Sequence, residues 1–254
     1  MNITVNNLNI NYEMSGSGRD ILMLHGWGSS LEPFRFIFKN IPEGYRVTSF
    51  DFPGFGKSDE LKRPWTVSDY CDFTLDFINA LKLDNPILIC HSFGGRVAIK
   101  LCGEKRLFPE KIIFIDAAGI KHPKTVRQKI RQLSYKTAKK FLSVPLWKKP
   151  CEPLLEKARS HFGSEDYNNA TPIMRQTLVN CVNEDLTDYL DGITASSLLI
   201  YGENDTATPV SDAKIMETKI ADSGLCIIKN AGHFSFIDSP YEVNAIIHSF
   251  LEAK

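Results

Sequence analysis

Several features are missing from the sequence, and each absence narrows what the chain can be. There is no run of 18 apolar residues in its 254 positions, so no membrane-spanning helix is expected. There is no charge excess: Lys+Arg and Asp+Glu both number 30, unlike a protein whose whole surface binds nucleic acid. The six cysteines, at 71, 90, 102, 151, 181 and 226, form no CxxC pair and no Cys/His cluster with zinc spacing, so no metal site is expected. A chain this long buries roughly 70–75% of its unfolded surface without cross-links, so all six are read as reduced thiols. No basic start followed by an apolar run opens the sequence, and a cytoplasmic location is expected. Low-complexity tracts and internal repeats are absent. With 43% hydrophobic and 24% charged residues, the composition is that of one large globular domain or a domain with an insertion.

Two nucleotide signatures also fail. Residues 51–58 end in Gly56-Lys57-Ser58, but a phosphate-binding loop needs glycine at 51, where Asp51 stands and would repel the phosphate. Gly16-Ser17-Gly18 is not followed by glycine at 21, so the dinucleotide fingerprint is incomplete. Neither a nucleotide nor a nucleic acid is an expected partner.

What the sequence does contain is alternation between two periods. Ile3, Val5, Leu8, Ile10 and Tyr12 alternate about Asn6-Asn7, which predicts an antiparallel hairpin. A continuous apolar run at 21–24, with similar short runs at 45–50, 87–90, 112–115, 197–201 and 225–228, predicts strands buried on both faces. Helical spacing falls between several of them, at 67–81, 97–102 and 243–251. The implied fold class is α/β: a mostly parallel twisted sheet with helices on both faces. Between 119 and 190 no strand is predicted. The domain expectation is therefore a core of 1–118 and 191–254, with a helical cap at 119–190 inserted between core strands. Within it, residues 121–150 hold ten Lys/Arg and no acid. That run predicts either a solvated helical face or a surface attracting anionic substrates or a membrane.

The chemistry is concentrated at strand ends. In Ile89-Cys90-His91-Ser92-Phe93-Gly94-Gly95 a buried strand stops, a serine follows and a helix begins. Such a sharp turn needs small residues two before and two after the serine. Gly94 complies, and Cys90 stands where glycine is usual. Ser92 is then either a nucleophile or a helix N-cap. A serine nucleophile needs a base and an orienting acid. Of six histidines, His25 and His91 lie in glycine-containing turns, His122 and His161 in the insertion, and His248 on the last helix. His233, in Asn230-Ala231-Gly232-His233-Phe234, follows a strand end and is the candidate base. Asp205, in Tyr201-Gly202-Glu203-Asn204-Asp205, follows another and is the leading acid, with Asp116 and Glu203 as alternatives.

With His25-Gly26-Trp27-Gly28 and Asp51-Phe52-Pro53-Gly54-Phe55-Gly56-Lys57-Ser58 added, these motifs stand in an order that resembles the α/β-hydrolase superfamily, in its small cap-bearing serine hydrolase branch. The resemblance covers essentially the whole chain. It implies Ser92 as nucleophile, His233 as base, Asp205 as acid, and the Trp27 and Phe93 amides as an oxyanion hole. It also implies that His25 and Asp51 brace turns below the site, and that no cofactor is needed. Serine in place of a nucleophilic carboxylate argues against haloalkane dehalogenases and epoxide hydrolases. Phe52, Phe55 and Phe234 flank these turns and are candidates for an apolar substrate pocket. The expected activity is a carboxylesterase on small or medium apolar esters. Three alternatives stand beside it: carbon–carbon bond hydrolysis of dienoate ring-cleavage products, with the basic cap, joined by Arg175 or Arg96, holding the anion; a small-molecule receptor with slow turnover; and an aminopeptidase, for which no acidic cap cluster is present.

Overall fold

The computed structural model describes residues 1–121 and 165–253. Eight strands are described: β1 Asn2–Val5, β2 Leu8–Gly16, β3 Arg19–Leu24, β4 Tyr45–Phe50, β5 Ile87–His91, β6 Lys111–Ile115, β7 Ser196–Gly202 and β8 Ser223–Ile228. They form one sheet in the order β1-β2-β4-β3-β5-β6-β7-β8. From β4 to β8 all pairings are parallel, while β1 and β2 add antiparallel at one edge. The hairpin turn is Asn6-Asn7 with Val5 opposite Leu8. Both asparagines take positive φ (50° and 61°), as a two-residue hairpin turn matching strand twist demands.

The apolar runs are continuous because each strand feeds two cores. Leu22 and Leu24 pack on one face with α2 (Val67–Leu81) and α3 (Phe93–Gly103). Ile21 and Met23 pack on the other with α1 (Arg35–Asn40) and the C-terminal helix (Pro240–Glu252). The predicted helix at 67–81 has these same bounds. Thr66 caps it in a reciprocal box with Asp69, satisfying two orphan N–H groups of the first turn.

Order along the sheet reverses between β3 and β5: the chain goes from β3 outward to β4, then returns to place β5 on the other side of β3. Loops leaving the carboxyl ends of β3 and β5 therefore diverge and open a crevice, the usual ligand position in such sheets.

Of the expected insertion, the described part holds α4 (Glu165–Asn169), α5 (Pro172–Asn183) and a 3-10 turn at Thr187–Gly192. Its two ends are tied together: the Leu186 amide donates to the Gly119 carbonyl (3.0 Å), and Lys121 Nζ to the Asn183 carbonyl. Helix α5 docks on the loop after β4, where Trp65 N donates to Thr177 Oγ1 (3.0 Å) and Asn180 Nδ2 to the Trp65 carbonyl (3.1 Å). Apart from Lys121, the basic stretch 121–150, with His122, lies outside the described residues, as do Cys151 and His161. The five described cysteines are free thiols, and burial pushes those of Cys71, Cys90, Cys102 and Cys181 up. Among the described residues, no helix is long and apolar enough to cross a membrane.

Candidate active site

Ser92 sits between β5 and α3 with φ 46° and ψ −107°, a conformation that costs a non-glycine residue on the order of 1–3 kcal/mol. The neighbours explain why the turn is possible. A Cβ on Gly94 would come within 2.0 Å of the Leu24 carbonyl oxygen, and one on Gly95 within 2.6 Å of the Ala117 Cβ. Helix α3 can therefore start directly over the ends of β3 and β6 only if both residues lack side chains. Cys90, two residues before Ser92, is wholly buried in the core, so a small thiol is tolerated there. The Gly94 amide donates to the His25 carbonyl (3.1 Å), tying the serine turn to the loop after β3.

The structure brings the three sequence-predicted residues together. His233 Nε2 lies 3.0 Å from Ser92 Oγ, and His233 Nδ1 lies 2.8 Å from Asp205 Oδ2. An ionised carboxylate can only accept, so the imidazole proton is on Nδ1 and the Nε2 lone pair faces the serine hydroxyl. Asp205 is buried, which by itself would raise its pKa. Hydrogen bonds from His233, Thr208 and the backbone outweigh burial and hold the carboxyl below its usual range. Its Oδ1 accepts the Ala207 and Thr208 amides (2.8 and 3.0 Å), and Oδ2 accepts the Thr208 hydroxyl (2.6 Å). Thr208 Oγ1 also lies 3.2 Å from His233 Nδ1.

The other two acid candidates are engaged elsewhere. Glu203 accepts the Asn230 amide (3.1 Å), closing its loop onto the end of β8. Asp116 accepts the Gly202 amide and both the amide and hydroxyl of Ser235.

Beside Ser92, neither the Trp27 nor the Phe93 amide has an acceptor among the described residues. The Phe93 amide opens α3, where helix geometry leaves N–H groups unpaired. Trp27 follows Gly26, whose missing Cβ would meet His91 Nδ1 at 2.6 Å and Ser92 Cβ at 3.3 Å. Gly28 then turns the chain with φ 68°. Two unpaired amides thus lie on the two residues that border the serine turn.

His25 and Asp51 act as braces. His25 Nδ1 donates to the Gly26 carbonyl (2.7 Å) and Nε2 accepts the Phe52 amide (2.9 Å). Burial lowers its pKa to about 4 and keeps the ring neutral. Asp51 accepts the Leu31 and Lys57 amides (2.7 and 2.8 Å) and Asn11 Nδ2 (2.8 Å), and its carboxylate fills the space over Gly56.

His91 does more than its turn position suggested. It ends β5 rather than lying in a turn, and its ring centroid is 5.0 Å from that of His233. Its Nε2 donates to the His233 carbonyl (2.8 Å). Burial, with His233 beside it, lowers its pKa to about 3.

The pocket candidates separate. Phe52 is fully buried among Phe50, Tyr70, Phe93 and His25. It therefore offers no surface to a ligand, and the expectation that it lines the pocket is corrected to a core role. Phe55 packs edge-on against Trp27 and His25, with 8% of its surface exposed. Phe234 is 38% exposed beside His91 and His233. Arg96 and Arg175 are both occupied by backbone carbonyls: Arg96 by Glu184, Arg175 by Tyr167 and Asn168.

Comparison with known proteins places this geometry in context. The sequence model described as "Alpha/beta hydrolase family" matches residues 21–246. The chain is 27% identical to the AB hydrolase superfamily protein YisY of Bacillus subtilis, over 92% of each chain. It is 23% identical to 2-hydroxy-6-oxo-6-phenylhexa-2,4-dienoate hydrolase of Comamonas testosteroni, covering 96% of this chain and 92% of that one. The solved esterase EaEST from Exiguobacterium antarcticum superposes with a TM-score of 0.76 at 25% identity, covering 99% of each chain.

Proposed function

Because the chain belongs to the alpha/beta hydrolase family, we propose that it is a cofactor-free serine hydrolase, a carboxylesterase acting on small or medium apolar esters. One observation carries this reading: a continuous hydrogen-bonded line from Ser92 Oγ through both nitrogens of His233 to Asp205. It lies beside two amides with no acceptor of their own. The similarity to the solved esterase supports the ester as the bond attacked.

In this mechanism Ser92 Oγ bonds to the ester carbonyl carbon while its proton passes to His233 Nε2. Asp205 stabilises the resulting imidazolium and fixes its orientation. The carbonyl oxygen, now negative, is held by the Trp27 and Phe93 amides, where preorganised donors are worth roughly 3–4 kcal/mol each. Collapse of the adduct breaks the ester C–O bond, and the leaving alkoxide takes the proton from Nε2. Water then attacks the acyl-enzyme, gives its proton to Nε2, and the acid departs as Ser92 recovers its hydrogen. The described end of the expected insertion, α5, lies on the loop after β4 at this edge, and Phe234, 38% exposed beside His233, contributes apolar pocket wall with Phe55 buried behind Trp27.

The test is turnover of a p-nitrophenyl ester series by the protein and by Ser92→Ala. Multiple turnovers lost in the variant support the reading, and the chain-length trend reports acyl preference. Equal activity in both proteins overturns it. A second reading, carbon–carbon bond hydrolysis, draws on the dienoate hydrolase relative. The occupied guanidiniums of Arg96 and Arg175 weigh against their expected part in it. Turnover of a dienoate with no ester turnover would select it.

A further inference from the structure

Asp116 is a wholly buried carboxylate that the proposed mechanism does not use. It follows β6 directly and takes φ 46°, a left-handed conformation held by a non-glycine residue. Its Oδ1 accepts the Gly202 amide at 2.8 Å. Its Oδ2 accepts the Ser235 amide at 3.0 Å and the Ser235 hydroxyl at 2.7 Å. Its backbone carbonyl lies 3.0 Å from Thr208 Oγ1, the same hydroxyl that bonds Asp205. Gly202 begins the turn that carries Asp205, and Ser235 is two residues beyond His233. One carboxylate thus holds both loops that deliver the acid and the base, and it does so with neutral donors alone.

We propose that Asp116 is a positioning residue that sets the His233–Asp205 contact by tying the acid-bearing and base-bearing loops to the end of a core strand. This rests on the serine hydrolase reading above. Asp116 acts through the loops: both its oxygens are occupied by Gly202 and Ser235. Its charge is kept in place by three donors against a burial that raises its pKa to about 6. Asp205 and the buried Tyr201 phenol are its titratable neighbours. Loss of any one donor frees a loop end, and a displacement of the order of 1 Å at such a contact can cost about 100-fold in rate.

The test uses Asp116→Asn and Ser235→Ala, with Ile247→Val in the distant core as a control for stability loss alone. Two quantities are read. One is the resonance of the hydrogen-bonded His233 Nδ1 proton by proton NMR, assigned with His233→Gln. The other is the division of the ester kinetics between kcat and KM. Expected is an upfield move of the His233 Nδ1 proton resonance in both variants, as its bond to Asp205 lengthens. The corresponding kcat is about 10–100-fold lower, with KM within about twofold. The control, destabilised but with its loops tied, changes neither. Ser235→Ala keeps the Asp116 charge, so a shift there reports loop position rather than loss of charge, and it carries the test if Asp116→Asn does not fold. Folded variants with an unchanged Nδ1 proton resonance and unchanged kcat overturn the inference. If Ser92→Ala were as active as the parent, the triad reading would fail while the Nδ1 proton resonance still judged the loop linkage.

Discussion

The two ends of the parallel sheet both bury charge, and they neutralise it differently. At the amino ends of the strands, Asp20 is paired bidentately with Arg46 at 2.5 and 2.7 Å. Lys111 Nζ is buried against the final carbonyls of the C-terminal helix, those of Phe250, Leu251 and Ala253. Opposite charge and a helix C-terminus do the work there. At the carboxyl ends, Asp51, Asp116 and Asp205 are met by amides, hydroxyls, an asparagine and a histidine. No lysine or arginine side chain is bonded to any of them among the described residues. The difference has a chemical consequence. A fixed cation beside Asp205 would compete with the imidazolium for its charge, whereas neutral donors leave His233 as its one cationic partner. One end is built to hold still, the other to let a proton move.

The largest effect that tests this contrast is expected from Ser92→Ala, which should lower kcat by about 10⁴-fold or more while the thermal midpoint holds or rises. The midpoint could rise because alanine removes nothing that the fold depends on. A variant that melted early and kept its activity would show that the serine turn is structural. Next is Asp205→Asn. The shape is retained but the imidazole proton is no longer anchored on Nδ1, and kcat should fall by roughly 10³–10⁴-fold.

The opposite end should show the reverse pattern. Arg46→Met leaves Asp20 buried without its cation and should cost about 1–3 kcal/mol of stability in a denaturant titration. The kcat per folded molecule should stay unchanged, and a fall in kcat would mean that the two ends are coupled.

Acidification gives a graded test. His25 and His91 are buried neutral with pKa values lowered to about 4 and about 3, so below the ordinary value of 6.5 the unfolded chain takes up protons that the native chain refuses. Their stabilising contribution is present above 6.5 and is lost as pH falls toward 4 and 3. Asp116, raised to about 6, acts in the opposite sense: its contribution is present below 3.8 and is lost as pH rises through 6. Two groups outweigh one, so stability should rise between pH 4 and 6 with a net slope near one proton, about 1.4 kcal/mol per pH unit. In His91→Gln this slope should flatten. A slope of opposite sign in the parent protein would show the histidines to be charged in the fold. The smallest effect belongs to Glu203→Gln, whose carboxylate bonds only the Asn230 amide among the described residues, and kcat should stay within about twofold.

Legibility in the sequence followed the range of the interaction. Asn6-Asn7 and the strand at 45–50 depend on residues within a few positions of one another, and they were readable. So were Ser92, Asp205 and His233, because each follows an apolar run that ends abruptly. The equally local Thr66–Asp69 capping box was not read, although a threonine followed three residues later by an acid is its cue. The helix at Val210–Lys219 was not read, since its short apolar face carries little periodic signal. Thr208 was missed as well, although a threonine three residues after a loop aspartate is spaced to bond it, a local cue that could have found it. For His91 and Asp116 no such cue existed, since their partners lie 142, 86 and 119 residues away.

By itself the sequence determined the alternation of strands and helices, the sharp serine turn and the residue types available at each strand end. Period, apolar run length and small side chains act over a few residues, so each left its mark locally. Only the tertiary structure decided which of three acids meets His233, that Phe52 belongs to the core, and that one buried aspartate joins two loops. Those outcomes depend on strand order and on directional bonds between distant segments, which form only when the sheet brings the strand ends side by side.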